Sequence, residues 1–339
     1  MIKINNMKSS ILKLKRGVNK GGVMSGSLFN FFLDDLIQEC CSSGFGATFN
    51  EIIMCILGFC DDISLLSCKP NDLQELLNIC EKYANDWALE FNIPKCKIML
   101  FGSKKQLKQN KITFNLYGEN IQYTDKFKYL GLEFTYNMDM SGFFIEKFKS
   151  VSSSFFSLNS FGFKPGGVNP FLQAFIYKTF CVSRILYGME IMNINKKTLN
   201  MLNISQNNII RYMTGLSRNS HISTTTKILN LFNIHDLYLY MKLIFIKNLK
   251  NNIICLKIFN YLLDADYKNN TNSFIRDFRS ISFLLDLDED YIIDNIRQVI
   301  INFKIENRKV IVRNNHEYCM RTQLNLVTYA GPLFDKKNI

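Results

Sequence analysis

The chain has 339 residues, of which 47% are apolar and 21% are charged, so a disordered polypeptide is excluded and a substantial core is expected. Lysine and arginine number 41 against 29 acidic residues, which gives a net charge of +12. This excess favours a polyanionic partner, with nucleic acid first and an anionic membrane surface second, while a basic protein without such a partner remains an alternative. The apolar runs are too short to span a bilayer, so no membrane insertion is expected.

Ten cysteines occur without a Cys-x-x-Cys pair. A chain of this length needs no disulfides to hold its core, so we expect an intracellular, reducing environment, either nuclear or cytoplasmic. His316 and Cys319 have the spacing of metal ligands, but two ligands do not complete a zinc site.

The first element in chain order is a glycine-serine loop followed by a helix. Gly21, Gly22 and Ser25 allow the backbone to approach a ligand closely, and Lys20 offers a point charge to a phosphate. The apolar spacing in residues 27–40 then predicts a helix.

The next feature is the segment ILGFCDDISLL, in which the adjacent carboxylates Asp61 and Asp62 separate two apolar runs. The runs 52–58 and 62–67 predict the strands of a hairpin whose flanks lie in a core. Like charges on a tight turn repel unless a cation neutralises them, and Mg²⁺ takes carboxylate oxygens while keeping waters for a substrate phosphate. A solvated Asp-Asp turn between ordinary strands is the alternative, and the dipeptide alone does not decide between the two.

Residues 71–91 predict an amphipathic helix whose apolar stripe includes Trp87, and Pro94 marks its end. Lys95 follows at the entrance to a strand. Further strands are predicted at residues 97–102, at 111–123 with a turn at Gly-Glu-Asn, and at 127–134.

After about residue 142 the pattern becomes helical, and the proline-containing segment 160–170 is the best boundary. The basic, aromatic segment 237–252 could present Lys242, Lys247 and Lys250 to nucleic acid or form a solvated amphipathic face. Helices are predicted near residues 142–160, 170–192, 197–214, 222–232, 235–264 and 289–303.

Four features in this order resemble the palm of reverse transcriptases, most closely the enzymes of non-LTR (LINE-type) retrotransposons. They are the glycine-serine loop with its helix, the apolar-x-Asp-Asp hairpin, the helix ending in Asn-x-x-Lys, and the Lys-Tyr-Leu-Gly strand. The family's Phe-Ala-Asp-Asp box is matched by Phe59-Cys60-Asp61-Asp62, and LYGME at 186–190 resembles the thumb region. The family's loop is matched at Gly17, Val18, Gly21, Ser25, Leu28 and Phe29.

The resemblance implies RNA-directed DNA synthesis from dNTPs, on an RNA template with a DNA primer. It implies that Asp61 and Asp62 are ligands of two catalytic Mg²⁺ ions, and that Lys95 lies near the triphosphate, where an ammonium stabilises the departing pyrophosphate.

The resemblance also assigns the surroundings of these groups. Lys20, Gly21 and Ser25 would contact the incoming nucleotide and template. The strand with Tyr129, Leu130 and Gly131 would hold the primer end as a primer grip.

The resemblance further implies an α+β fold with three parts. Residues 1–140 would form a partial palm, residues 141–264 a helical thumb and post-thumb region, and residues 265–339 a helical or irregular C-terminal region.

Three departures from the family pattern limit the expected activity. Lys20 replaces a glutamine, and Gly26 replaces a proline. The family's further metal-binding aspartate precedes the loop, whereas the first aspartate here is Asp34, on the following helix. We therefore expect an incomplete two-metal site, a missing fingers subdomain and no polymerisation by this chain alone. A non-catalytic nucleic-acid-binding remnant of a decayed element and a different palm polymerase, such as an intron maturase, are the alternatives.

Overall fold

A computed structural model describes residues 3–5, 7–8, 10, 21–101, 112–192, 194–269 and 273–309. The chain divides into two compact units, residues 1–124 and 125–339. The first unit mixes helices with short strands and the second is mainly helical, which confirms the predicted α+β class. The predicted borders of palm, thumb and C-terminal region stay a prediction. Lys20, His316 and Cys319 lie outside the described residues.

The first unit contains two long helices. The loop helix, which follows the glycine-serine loop, is Ser25–Ser42, and the amphipathic helix is Pro70–Asp86. A 3₁₀ turn follows at Ile93–Lys95. The strands are Lys3–Ile4, Met7–Lys8, Ala47–Phe49, Ile52–Met54, Ile56–Phe59, Asp62–Leu65, Lys97–Ile98, Asn115–Leu116, Glu119–Asn120 and Gln122–Tyr123.

Among the described residues, the strands pair two by two. Lys97–Ile98 and Gln122–Tyr123 form a parallel pair, and the other ladders are antiparallel. The predicted turn at Gly-Glu-Asn is shifted toward the N-terminus, because Leu116 pairs with Glu119 and the turn is Tyr117-Gly118.

The loop helix, the amphipathic helix and the strand pair Ile56–Leu65 share one apolar core. We call this strand pair the acidic hairpin. Leu36 and Leu76 are fully buried in the core, where Cys40, Cys55 and Tyr83 accompany them. The Tyr83 hydroxyl donates a hydrogen bond to the Phe32 carbonyl, which ties the two helices together.

Trp87 does not lie in this core, and the prediction that placed it there is wrong. The helix ends at Asp86, so Trp87 lies at the rim with 52% of its surface exposed. Its ring stands edge-on to Phe32 at 5.2 Å between centroids. The rim position lets the indole pack on one face only.

The second unit begins with a hairpin where a single strand was predicted. Lys126–Tyr129 pairs with Leu132–Thr135 in antiparallel register, and we call Lys126–Thr135 the second hairpin. Leu130 and Gly131 form its turn with φ values of 47° and 80°. A two-residue turn of this kind needs positive φ at both central positions, and glycine meets that need without strain.

The rest of the second unit is helical. A 3₁₀ turn at Ser157–Phe161 and a π-helix at Tyr177–Val182 adjoin α-helices. Those α-helices are Ser141–Phe156, Pro170–Ile176, Ser183–Leu186, Lys196–Thr214, Ser223–Ile228, Ile234–Leu249, Ile253–Asn269, Ser273–Leu285, Glu289–Asp294 and Ile296–Lys309.

Two helix predictions need correction. The helix expected over 235–264 is interrupted after Leu249, and the Asn252 side chain accepts a hydrogen bond from the backbone N–H of Ile254 at 3.0 Å, starting a new helix. The helix Ser273–Leu285 was not among the individual helices predicted, although it lies in the region predicted to be helical or irregular. It buries Phe278 and Ile281 against neighbouring helices.

Two apolar clusters form the cores of the second unit. One gathers Leu132 of the second hairpin with Phe144, Tyr177, Ile185 and Met189. The other gathers residues of the later helices: Leu243, Phe278, Ile292, Val299 and Phe303. Within the part of the chain that the structure describes, no helix is both long and apolar enough to cross a bilayer.

Candidate active site

The tip of the acidic hairpin carries the two predicted carboxylates. Phe59 pairs with Asp62 across the ladder, so Cys60 and Asp61 form a two-residue turn. Cys60 adopts a left-handed φ of 51°. Asp61 and Asp62 are both exposed, and Phe59 beside them is 58% exposed. The flanks are therefore less buried than the sequence suggested, and at this edge the carboxylates remain hydrated.

Among the residues that the structure describes, none neutralises either carboxylate. Across the described residues, Asp61 and Asp62 have no hydrogen-bond or ion-pair partner on their side chains. By contrast, Asp34 on the loop helix accepts a hydrogen bond from Gln38 at 2.8 Å. Ionised carboxylates are acceptors only, with about four lone-pair sites each. Their full acceptor capacity is therefore available to a cation.

The hairpin is seated directly on the loop helix. A side chain at Gly58 would meet Ile37 Cδ1 at 3.4 Å, so strand and helix are in close contact there. The same helix begins at Ser25, whose backbone N–H donates to the Gly22 carbonyl at 3.1 Å. Gly21 precedes this turn, exposed and with a left-handed φ of 84°. One helix thus supports the acidic hairpin and starts from the predicted nucleotide-binding loop.

Lys95 lies at the end of the 3₁₀ turn and is exposed. The Asn92 side chain accepts a hydrogen bond from the Lys95 backbone N–H at 3.3 Å, which fixes the turn. Phe91, just before it, packs against the core of the acidic hairpin. In the described structure the Lys95 ammonium makes no ion pair with Asp61 or Asp62. Its predicted role near a triphosphate stays a prediction.

The second hairpin is held by the LYGME segment. The Tyr187 hydroxyl donates a hydrogen bond to the Leu130 carbonyl at the turn. A side chain at Gly131 would lie 3.5 Å from the Tyr187 ring. Tyr129 is half-buried at the end of its strand. The predicted primer-grip residues therefore form a turn whose tip is bound by a tyrosine.

Two further contacts complete this arrangement. An added Cβ at Gly188, whose φ is 86°, would overlap Leu132 Cδ2 at 2.4 Å, so only glycine fits there. Lys147 Nζ donates to the Tyr187 carbonyl at 2.6 Å and lies 5.2 Å from its ring centre. Burial lowers the pKa of Lys147, against the opposing charge of Glu190. The sequence pointed to LYGME as a thumb motif, but nothing in its residues indicates that it contacts residues 130–132.

Lys242 is neither available to nucleic acid nor part of a solvated face, so both interpretations of the segment 237–252 are wrong for this residue. Its side chain is 1% exposed and lies 3.5 Å from the Asp277 carboxylate. It also donates to the Met192 carbonyl at 2.9 Å. Burial lowers the pKa of Lys242, and Asp277 opposes that shift. Nearby in the sequence, Lys250 donates to the Ile293 carbonyl at 2.7 Å and is likewise used structurally.

A metal centre built entirely from protein ligands is absent from the described residues, where no three His, Cys, Asp or Glu side chains converge. The fit to Mg²⁺ rests instead on the exposed pair Asp61 and Asp62. Mg²⁺ is commonly bound through one or two carboxylates together with waters and substrate phosphates. The donor set of the acidic hairpin fits that kind of binding.

The chain resembles known proteins over part of its length. Residues 1–134 match the reverse transcriptase (RNA-dependent DNA polymerase) family. The RNA-directed DNA polymerase from mobile element jockey of Drosophila melanogaster is 21% identical over 221 residues, 63% of this chain and 23% of that protein. Its counterpart in Drosophila funebris is 24% identical over 219 residues, covering 61% and 23%. The chain thus spans less than a quarter of the length of these relatives.

Proposed function

We propose, from the premise that residues 1–134 belong to the reverse transcriptase family in the form found in non-LTR elements, that this chain takes part in RNA-directed DNA synthesis. The observation that carries the proposal is the pair of exposed, unneutralised carboxylates on a hairpin seated on the loop helix. Asp61 and Asp62 belong to the segment that matches the family's aspartate box.

In this proposal Asp61 and Asp62 hold Mg²⁺ through their carboxylate oxygens. When bound, the metal ions activate the attacking hydroxyl and stabilise charge on the transferred phosphoryl group. The exposed Lys95 ammonium offers a positive charge to the departing pyrophosphate. Gly21 and Ser25 leave the loop backbone open to the nucleotide, and Lys20 adds a cation to the same loop.

The partners in this proposal are an RNA template, a DNA primer and dNTPs. The net charge of +12 supports binding to phosphate backbones. The second hairpin, with Tyr129, Leu130 and Gly131, would hold the primer end. Because Tyr187 holds the turn in place, the hairpin is suited to keeping the end of a primer strand in one position.

The carboxylate set is incomplete within this sequence. The 20 residues before Gly21 contain no aspartate or glutamate, so the family's further metal ligand has no counterpart there. We propose that two metal ions are under-coordinated by Asp61 and Asp62 alone. The 339-residue polypeptide would then bind cations weakly and extend primers too slowly to measure.

Cation binding tests the proposed metal site without requiring activity. Mn²⁺ would be titrated into the full chain and followed by electron paramagnetic resonance. The double variant Asp61→Asn/Asp62→Asn should bind Mn²⁺ at least tenfold more weakly, which appears as a larger signal from the free ion. Asp34→Asn/Asp35→Asn is the matched control, because it removes an equally exposed adjacent pair on the loop helix. Equal losses in both variants would contradict the assignment.

Primer extension on a homopolymer RNA template with Mg²⁺ or Mn²⁺ tests whether the set of metal-binding carboxylates is incomplete. No incorporation is expected from the chain alone. Clear incorporation that Asp61→Ala abolishes would refute the incompleteness while supporting the polymerase assignment.

The second candidate function, a non-catalytic nucleic-acid-binding remnant, is favoured by the same positive charge. It predicts duplex binding that falls steeply with salt and is independent of the metal ion. An RNA–DNA duplex shift assay with the Asp61→Asn/Asp62→Asn variant separates the two. Binding that is unchanged by Mg²⁺ and by the variant would favour the remnant.

A further inference from the structure

Four cysteines line the core that supports the acidic hairpin. Cys40 and Cys41 lie at the end of the loop helix, Cys55 directly precedes the acidic hairpin, and Cys80 lies in the amphipathic helix. All four are free thiols. They do not form a metal-binding group of three or more within the described residues. Their sulfurs are instead arranged as two pairs.

The two pairs differ in their access to solvent. Cys41 Sγ lies 3.6 Å from Cys55 Sγ, and Cys41 is exposed while Cys55 is 1% exposed. The thiols of Cys40 and Cys80 influence each other's pKa, and both residues are buried. A solute can therefore reach the first pair through Cys41 but has no direct access to the second pair.

The surroundings of Cys55 reinforce this asymmetry. The backbone at Gly46 is so close that an added Cβ there would lie 2.9 Å from Cys55 Cβ. Burial, together with the neighbouring Cys41, raises the pKa of Cys55 to about 11. Cys55 is thus protonated at neutral pH and shielded from reagents. Because reactivity follows thiolate character and exposure, Cys41 is the thiol that an oxidant meets first.

We propose that Cys41 and Cys55 form an oxidation site at which a hydroperoxide converts two thiols into a disulfide. The Cys41 thiolate attacks one peroxide oxygen, the O–O bond breaks, and a sulfenic acid forms on Cys41 as hydroxide leaves and is protonated. The Cys55 sulfur then attacks the Cys41 sulfur, the S–O bond breaks, and the hydroxyl leaves with the Cys55 proton as water. Two thiols lose two electrons in total, and hydrogen peroxide is reduced to two waters.

The geometry requires only a small movement. The sulfurs must close from 3.6 Å to about 2.05 Å. The bond would tie the end of the loop helix to the residue that begins the acidic hairpin, and so restrict the hairpin against the helix that supports it. This inference does not depend on the proposed polymerase function, because it concerns thiol chemistry alone.

The test is to expose the full chain to hydrogen peroxide, alkylate the remaining thiols, digest it and identify the linked peptides by mass spectrometry. We expect a Cys41–Cys55 link at least tenfold more abundant than any link between Cys40 and Cys80. Cys41→Ser should abolish this link. Cys68→Ser is the matched control, because Cys68 is another exposed cysteine of the same unit, and it should leave the link unchanged.

A second variant, Cys55→Ala, makes it possible to detect the sulfenic acid intermediate on Cys41. In Cys55→Ala, dimedone should label Cys41 as a persistent sulfenic acid, whereas the wild-type chain should show little label. A dominant Cys40–Cys80 link, equal loss in Cys68→Ser, or a wild-type chain that keeps its sulfenic acid without forming the bridge would overturn the proposal. Because Cys41→Ser changes an exposed side chain, that arm stands even if the buried alanine variant does not fold.

Discussion

The acidic hairpin and the second hairpin have similar strand pairing, but their turns differ in their contacts with the rest of the protein. Each pairs two four-residue strands in antiparallel register around a two-residue turn with left-handed backbone. The acidic hairpin rests on a helix at its strands, and the Asp61 side chain at its tip has no hydrogen-bond or ion-pair partner within the described ranges. The second hairpin has its turn bound by Tyr187 and its Leu132 buried in a core. An unengaged tip is available to a ligand, whereas a bound tip presents a fixed surface.

The comparison predicts opposite responses to mutation. Changes around the second hairpin should alter stability, while changes at the tip of the acidic hairpin should alter binding and leave stability nearly intact. Four measurements, from the largest expected effect to the smallest, test this difference.

The largest effect is expected from Gly188→Ala. Its left-handed φ and the 2.4 Å overlap with Leu132 Cδ2 should together cost about 2–4 kcal/mol of unfolding free energy. Gly166→Ala is the matched control, because Gly166 also has a left-handed φ, of 73°, but no atom within 4 Å of the added Cβ. It should cost only about 1 kcal/mol. Urea unfolding measures both, and equal losses would mean that the contact with Leu132 is unimportant.

Tyr187→Phe should have the next largest effect. It removes the hydroxyl that donates to the Leu130 carbonyl and keeps the ring beside Gly131, so we expect a loss of about 1 kcal/mol. Tyr291→Phe removes the hydroxyl of a tyrosine that is 48% exposed and should change stability by less than about 0.5 kcal/mol. Chemical denaturation of the two variants compares them directly. If Tyr187→Phe left the unfolding free energy unchanged, the hydrogen bond from Tyr187 would not be needed to hold the turn.

Lys147 gives a pH-dependent effect at the same place. Its pKa in the folded protein is lowered by burial from the ordinary 10.5, so the unfolded chain binds more protons between the two values. The stability of the wild type relative to Lys147→Met should therefore rise as the pH increases through that window to 10.5, and be flat below it. Unfolding free energies of both proteins between pH 7 and 10.5 provide the check. A constant difference would contradict the burial of the ammonium.

The smallest effect on stability is expected at the acidic tip. Asp61→Asn/Asp62→Asn removes the repulsion between neighbouring charges and breaks no side-chain hydrogen bond or ion pair seen in the described part of the chain. The unfolding free energy should therefore change by less than about 0.5 kcal/mol, in the stabilising direction. Thermal unfolding at low and high salt measures this, since the gain should shrink as salt screens the charges. A loss above 1 kcal/mol would reveal a structural role for the pair and remove the contrast between the hairpins.

The sequence was sufficient where a local pattern determines local structure. The apolar runs on either side of Asp61 and Asp62 predicted the acidic hairpin, and the apolar stripe predicted the helix that buries Leu76. Periodicity could not place Trp87 at a rim, because the apolar spacing continues past Asp86, where the helix itself ends. Lys242 looked like a surface cation, because its carboxylate partner, Asp277, lies 35 positions later and pairing of that kind leaves no local signal.

The same limit applies to the functional site. The aspartate box and the glycine-serine loop were found because each is contiguous in sequence. The strand predicted at 127–134 concealed a turn, since a leucine with positive φ is uncommon and the following glycine was its only sign. The contact of Tyr187 with that turn and the 3.6 Å approach of Cys41 to Cys55 are products of tertiary structure.

The hydrogen bond between Tyr187 and Leu130 joins residues 57 positions apart, which has a consequence for biogenesis. A hairpin closes in about 1–10 μs, whereas translation adds about 5–20 residues per second. Residues 126–135 would thus emerge from the ribosome and pair several seconds before their tyrosine is synthesised. Throughout that interval Leu132 lacks the later members of its surroundings, among them Gly188 and Met189, so part of its apolar surface stays uncovered and a chaperone can recognise it.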